Sequence, residues 1–163
     1  MEKKRFKTIP YIIIGALVFA ADIFSKIYID MVMDLGDSFK IIPSVFHITY
    51  IHNPGAAWGL LSGQLPLFVG VSVVAAIIMV LYFKDTTRQQ VMARIGIALI
   101  FGGMLGNLTD RILLGYVRDF LDFFIFGYDY PVFNIADVGV VVGFICILID
   151  MILGEFFYDE ETD

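Results

Sequence analysis

Apolar residues fall in four long blocks, separated by two mixed connections and one short basic one. The blocks run from Tyr11 to Ile29, Leu65 to Phe83, Ile95 to Leu114 and about Asn134 to Gly154. Each is close to the ~20 residues a helix needs to cross a bilayer. The pattern predicts four transmembrane helices, about 11–29, 65–83, 95–114 and 134–154. A cleaved leader ending at Val18-Phe19-Ala20 is the alternative for the first block. It is disfavoured because the apolar run continues past that site and three more blocks follow. Between the blocks, residues 45–52 and 116–126 are β-branched and aromatic and read as strands. The expected fold is a mainly α, four-helix membrane bundle carrying a small β element outside the hydrocarbon.

Composition agrees with this picture. The chain has 163 residues, 59% hydrophobic and 17% charged, with a mean hydropathy of +0.83. Soluble domains carry about 25% charged residues, and a chain this apolar is not disordered. The length suits a single integral membrane domain over 1–163. A net charge of −6 gives no footing for nucleic acid; much of it lies in the tail, at Glu155, Asp159, Glu160, Glu161 and Asp163. The single Cys146 excludes an intramolecular disulfide and a cysteine-cluster zinc site, and is read as a packing residue. His47 and His52 are too few for a histidine-rich metal centre. No cofactor or metal is expected.

Basic residues orient the bundle. Lys3, Lys4, Arg5 and Lys7 precede the first block, and Lys84, Arg88 and Arg94 lie between the second and third. The other connections hold only Lys40 and Arg118. Both termini are therefore expected in the cytoplasm, with residues 31–64 and 115–133 outside.

Polar residues within a membrane are functional candidates, and here most lie toward the outer ends of the blocks. Asp22 and Lys26, four apart, share a helix face; they form either a structural ion pair or support for a site. Asn107, Asp110 and Arg111 share one face of the third block, behind Gly102, Gly103 and Gly106, which permit close backbone approach. They fit a buried network or the support of a site, with Asp110 pairing to Arg111 or Lys26. Asn53-Pro54-Gly55-Ala56-Ala57-Trp58-Gly59 is a turn leading into small residues and an interfacial tryptophan. Asp150, near the inner end of the last block, is assigned no role.

Asp119 and Asp137 both fall at the outer surface. If close together, two carboxylates share one proton, so one takes a proton from water while the other donates to a carbonyl oxygen. That suffices for amide hydrolysis without metal. Other arrangements are poorer. Ser25 and Lys26 are adjacent on a helix and diverge by about 100°. His47 and His52, an odd number apart, would face opposite sides of a regular strand. There is no HExxH and no phosphate loop. The runner-up is a small transporter or channel subunit moving protons or ions along Asp22, Asp110 and Asp137.

Five short motifs occur in order: Asp22-x-x-x-Lys26, Asn53-x-Gly55-Ala56-Ala57-Trp58, Gly106-Asn107-x-x-Asp110-Arg111, Val117-x-Asp119-Phe120 and Phe133-Asn134-x-Ala136-Asp137. In these the chain resembles the bacterial lipoprotein signal peptidases, the type II signal peptidases, over nearly its whole length. The GxGD motif of presenilin-like and prepilin-type aspartic proteases is absent. The resemblance implies an aspartic endopeptidase of the bacterial cytoplasmic membrane. It would cut diacylglyceryl-modified prolipoproteins just before the lipidated cysteine. The resemblance makes Asp119 and Asp137 the catalytic pair. Asp22, Lys26, Asn53, Gly55, Asn107, Asp110, Arg111, Asn134 and Ala136 become substrate-binding or supporting residues. It also implies contact with membrane lipids, inhibition by globomycin-type cyclic peptides, and a monomer.

Overall fold

A computed structural model describes residues 8–56, 60–87 and 89–157. Lys3, Lys4, Arg5, Lys7, Ala57, Trp58, Gly59, Arg88, the acidic residues 159–163 and the side chain of Glu155 lie outside the described residues. Four helices, α1 (Ile9–Val32), α2 (Leu65–Asp85), α3 (Val91–Leu114) and α4 (Ile135–Phe157), are long and apolar enough to cross a membrane. Each span extends beyond its hydropathy block at one or both ends, except that α4 begins one residue later. The reason lies in polar end turns. Arg94, expected in the 84–94 connection, is instead buried in the first turn of α3. There it donates to Thr86 Oγ1 and Thr86 O, both at 2.9 Å. α1 continues unbroken through Val18-Phe19-Ala20.

Pro10 and Pro66 sit in the first turns of α1 and α2, where a missing N–H costs nothing. Gly115 ends α3 with φ +84°, a left-handed cap that favours glycine. α3 is the central element, packing against α1, α2 and α4. α2 has no buried residue, so the rest of the fold leaves its apolar surface uncovered.

The strands β1 (Ser38–Ile42), β2 (Phe46–Asn53), β3 (Val117–Ile125) and β4 (Tyr128–Asp129) form one antiparallel sheet in that order. It lies at the end of the bundle where α1 and α3 finish and α2 and α4 begin. The expected strands at 45–52 and 116–126 are present as β2 and β3; β1 and β4 extend the element to four strands. Phe120 and Tyr50 of the sheet pack on Ile29 and Met33 at the end of α1, which fixes the sheet to the helices.

Small residues set the helix spacing. A Cβ at Gly102 would strike the backbone of Gly15, one at Gly103 the carbonyl of Ala136, and one at Gly106 the Asp22 carboxylate. The backbone at Ala136 is helix α4 itself and has nowhere to go. Gly103→Ala is therefore expected to lower stability by about 1–3 kcal/mol, the scale of overpacking. Gly70, on α2, has nothing within 4 Å of such a Cβ. Gly70→Ala should be neutral or stabilising by up to ~1 kcal/mol. Unfolding of the two variants in detergent micelles checks the contrast.

Candidate active site

Asp119 is reached from β3 and Asp137 from the first turn of α4. Three backbone bonds join these elements: Phe120 N–H and Leu121 N–H donate to Phe133 O at 3.0 and 2.8 Å, and Phe133 N–H donates to Leu121 O at 3.0 Å. Asn134 follows Phe133 and caps α4. Its side-chain oxygen accepts from Asp137 N–H at 3.0 Å, while its own N–H donates to Asp137 Oδ2 at 3.2 Å. This reciprocal pair is a capping box, built here with Asn and Asp. The Asn134 amide also donates to Asp119 Oδ1 at 2.6 Å. One residue therefore holds both carboxylates, and the assumed closeness of Asp119 and Asp137 follows from that bridge.

Each carboxylate has one further amide donor. Asn53 Nδ2 donates to Asp119 Oδ2 at 2.9 Å, and Asn107 Nδ2 to Asp137 Oδ1 at 2.7 Å. Asn53 reaches Asp119 because β2 carries a bulge. His47 and Ile48 pair with Asp122 and Leu121, but Ile51, His52 and Asn53 pair with Asp119, Arg118 and Val117. The extra residue at Thr49–Tyr50 reverses the alternation of faces, the usual effect of a bulge. Asn53 thus shares the face of Asp119, where an unbroken strand would have put His52. The same bulge corrects the expectation for the histidines: His47 and His52 share one face, away from Asp119. His52 is bonded to the Tyr50 hydroxyl at 2.9 Å and stacks on Tyr116.

Behind the pair lies a buried charged layer. Lys26, fully buried, contacts Asp22 at 2.7 Å, donates to Asn107 Oδ1 at 2.9 Å and lies 3.6 Å from Asp110. Asp22 Oδ1 accepts from Ala136 N–H at 2.8 Å, tying α1 to the start of α4. Of the two expected partners of Asp110, Lys26 forms an ion pair with it at 3.6 Å, and Arg111 forms none among the described residues. The shortest side-chain bonds of Asp110 are to Arg118, which donates from Nη2 to Oδ1 at 2.7 Å and from Nε to Oδ2 at 3.2 Å. Arg111 points elsewhere: Nη2 donates to Gly55 O at 3.1 Å, and the guanidinium covers the Phe68 ring at 4.6 Å. Gly55 N–H in turn donates to Asn53 Oδ1 at 3.0 Å. Arg111 therefore braces the turn that presents Asn53. Ser25 donates to Asp22 O and does not face Lys26.

Asp22 with Lys26, and Asp110 with Arg118, are two neutralised pairs. Among the described residues, this leaves Asp119 and Asp137 without a cation in contact. Asp119 is 2% exposed and Asp137 half-buried. Burial, followed by the neighbouring Asp137 charge, pushes the Asp119 carboxyl up to about 7 against the pull of its Asn53 and Asn134 donors and of Lys26. The arrangement can thus hold one proton between two carboxylates at neutral pH. Asp150 is buried on α4, far along the helix from this layer, with Oδ2 unbonded among the described residues. Of the three acids in the ion-path reading, Asp22 and Asp110 are engaged in the ion pairs and Asp137 is held by amide donors, all at one end of the bundle.

Tyr50 and Arg118 complete the layer, with Asp30 at its exposed edge, and none of the three stands out in the sequence as a candidate. Arg118 resembles an ordinary loop charge there; its one signal is its place beside Asp119.

Comparison with known proteins agrees with this geometry. Residues 14–153 match the family model described as signal peptidase (SPase) II. The chain is 38% identical over 152 residues to a lipoprotein signal peptidase of Staphylococcus haemolyticus (strain JCSC1435), covering 93% of this chain and 96% of that protein. It is 42% identical to one of Staphylococcus aureus (strain JH9), covering 93% of each. A bacterial membrane enzyme solved by the in meso method at 2.3 Å superposes with a TM-score of 0.85 and 39% identity, over 94% of this chain and 93% of that one. A second, at 1.9 Å, gives 0.82 and 41% over 93% and 97%. On these matches, and with described residues from each of the five motifs meeting in one polar layer, the chain belongs to the signal peptidase II family, the lipoprotein signal peptidases.

Proposed function

We propose that Asp119 and Asp137 are the catalytic pair with which this membrane aspartic endopeptidase removes signal peptides from diacylglyceryl-modified prolipoproteins, cutting before the lipidated cysteine. The observation that carries the assignment is the Asn134 bridge, which bonds one oxygen of each carboxylate while Asn53 and Asn107 bond the others. Asp137 takes a proton from water as the water attacks the scissile carbonyl carbon. Asp119 gives its proton to the carbonyl oxygen. When the tetrahedral intermediate collapses, Asp137 passes its proton to the leaving nitrogen and Asp119 recovers one from the hydroxyl. Asn53, Asn107 and Asn134 orient the pair. Asp22, Lys26, Asp110 and Ala136 hold the elements that carry it, and Arg111 and Gly55 hold the turn bearing Asn53.

The whole chain acts as one integral membrane domain and a monomer. Both termini face the cytoplasm, and the sheet with the catalytic pair faces outward; the basic 84–94 connection and the sparing use of Lys and Arg in the sheet segments support this orientation. A lipid-modified substrate keeps its scissile bond at that surface. An apolar groove of about 610 Å³ between α1, α2 and α3, lined by Tyr11, Phe19, Met79, Phe83, Ala98 and Phe101, supports docking of the signal helix or acyl chains. A globomycin-type cyclic peptide would compete at the pair. The test is cleavage of a synthetic lipidated precursor by purified protein in liposomes. Product ending just before the modified cysteine is expected; ion flux without cleavage would favour the transport reading.

The pH profile follows from Asp119. Its carboxyl is raised from the ordinary 3.8 to about 7, so the required proton is lost as pH rises through that region, and activity should fall on the alkaline side with a midpoint near 7. At low pH the pair takes up its second proton, no base remains, and activity falls again. Stability has the same sign: a raised carboxyl stabilises the fold below its unfolded value and loses that contribution between about 4 and 7. Activity unchanged from pH 5 to 10 in intact protein would remove the shared proton from the mechanism.

A further inference from the structure

Arg118 fills the variable position of Val117-x-Asp119-Phe120, one residue before Asp119 and on the opposite face of β3. It is nevertheless 8% exposed and fully engaged. A single carboxylate, Asp110 on α3, accepts from Arg118 Nη2, Nε and the backbone N–H at 2.7, 3.2 and 3.0 Å. Nη1 lies 3.7 Å from Asp30 Oδ2. Asp30 Oδ1 accepts from the Tyr50 hydroxyl at 2.6 Å, and Tyr50 is one of the two residues of the bulge that aims Asn53.

Two consequences reach the carboxylates. Backbone and side chain of residue 118 are clamped to one helix, so the strand cannot slide along α3 and Asp119, the next residue, is placed with it. Asp110 also stands between two cations. With Arg118 bonded to it through both oxygens, Lys26 stays on Asp22 and Asn107 and lies 3.6 Å from Asp110. Without Arg118, Asp110 is a buried anion whose nearest cation is Lys26. Movement of Lys26 toward it removes one of the two donors on Asn107 Oδ1, leaving Asn134 Nδ2 at 3.0 Å, and loosens the amide that donates to Asp137 at 2.7 Å.

We propose that Arg118 is a positioning residue for peptide hydrolysis, holding Asp119 by the strand clamp and Asp137 through Asp110, Lys26 and Asn107, without touching substrate. The role rests on Asp119 and Asp137 being the catalytic pair. Arg118→Lys keeps a cation beside Asp110 but lacks the planar fork needed to bond both oxygens while facing Asp30; Arg118→Gln removes the charge as well.

Steady-state cleavage of the lipidated precursor and thermal midpoints test this in wild type, both variants, Asp110→Asn and the Asp110→Asn/Arg118→Gln pair. Arg118→Lys should hold its midpoint within a few degrees of wild type while kcat falls roughly 10- to 100-fold, the scale of a misplacement of up to 1 Å. KM should change less than about threefold, since substrate contacts are intact. The double variant should be no slower than Asp110→Asn alone, because Arg118 acts through Asp110. Folded Arg118→Lys with kcat within twofold of wild type overturns the proposal, as does a loss confined to KM, which would make Arg118 a substrate contact. If Arg118→Gln does not fold, the lysine variant decides. An active Asp119→Asn enzyme would instead bring down the catalytic-pair reading beneath it.

Discussion

Asp119→Asn and Asp137→Asn are each expected to abolish cleavage while the protein still inserts and folds. An amide can occupy either position, since Asn is nearly isosteric with Asp. It cannot give up and recover a proton as the cycle requires. Loss of general acid–base action costs about 10²–10⁴-fold in rate, and more when two groups act as a unit. Folding should survive for a reason visible in the hydrogen bonds. In Asp119→Asn the new amide would still offer its carbonyl oxygen to Asn134 or Asn53. In Asp137→Asn it would still accept from the Asn134 N–H or from Asn107. The Asp119→Asn variant should also lose the stability change between about pH 4 and 7 that the buried carboxyl gives the wild type. Cleavage of the lipidated precursor, read beside thermal midpoints at pH 5 and 8, separates catalytic loss from unfolding. Near-normal turnover in either variant would remove that aspartate from the chemistry.

How much of this was legible depends on what signal each part carries. The spans were, because twenty apolar residues in a row have few other uses. Asp22 with Lys26 was legible from helical spacing alone, and the glycines before Asn107 announced a close helix contact. Asp119 and Asp137 are placed at one membrane surface by the sequence topology, but their bridging by Asn134 depends on Phe133 pairing with Leu121, a bridge no local pattern encodes. β1 escaped because all five of its residues are exposed, so it has no alternation to read. The bulge at Thr49–Tyr50 escaped because it exists only in the register between β2 and β3. Arg118 is hidden for a related reason. A lone arginine in an outer connection looks solvated until the fold places Asp110 beneath it.

Lys26→Met is expected to be the most damaging substitution for the fold. Methionine has nearly the same length as lysine and fills the same space, so the change isolates the charge. Lys26 is fully buried, as is Asp22, its partner at 2.7 Å. Removing one member of a buried pair typically costs about 3–5 kcal/mol, because the other charge remains without compensation. Asp22 cannot swing to water, since its Oδ1 is fixed on the Ala136 N–H and Gly106 packs against its carboxylate. Asn107 Oδ1 loses one of its two donors and keeps Asn134 Nδ2 at 3.0 Å, so its amide is held less firmly toward Asp137. Both stability and cleavage should therefore fall. A second substitution distinguishes the two losses. In Lys26→Met/Asp22→Asn no uncompensated charge remains at this pair, and an asparagine carbonyl can still accept from Ala136. The double variant should regain much of the thermal midpoint. It should not regain full cleavage, because Asn107 still lacks one of the two donors that orient it toward Asp137. Recovery of both would make Lys26 and Asp22 a purely structural pair; recovery of neither would mean that the lysine packs the bundle in some way its charge does not explain.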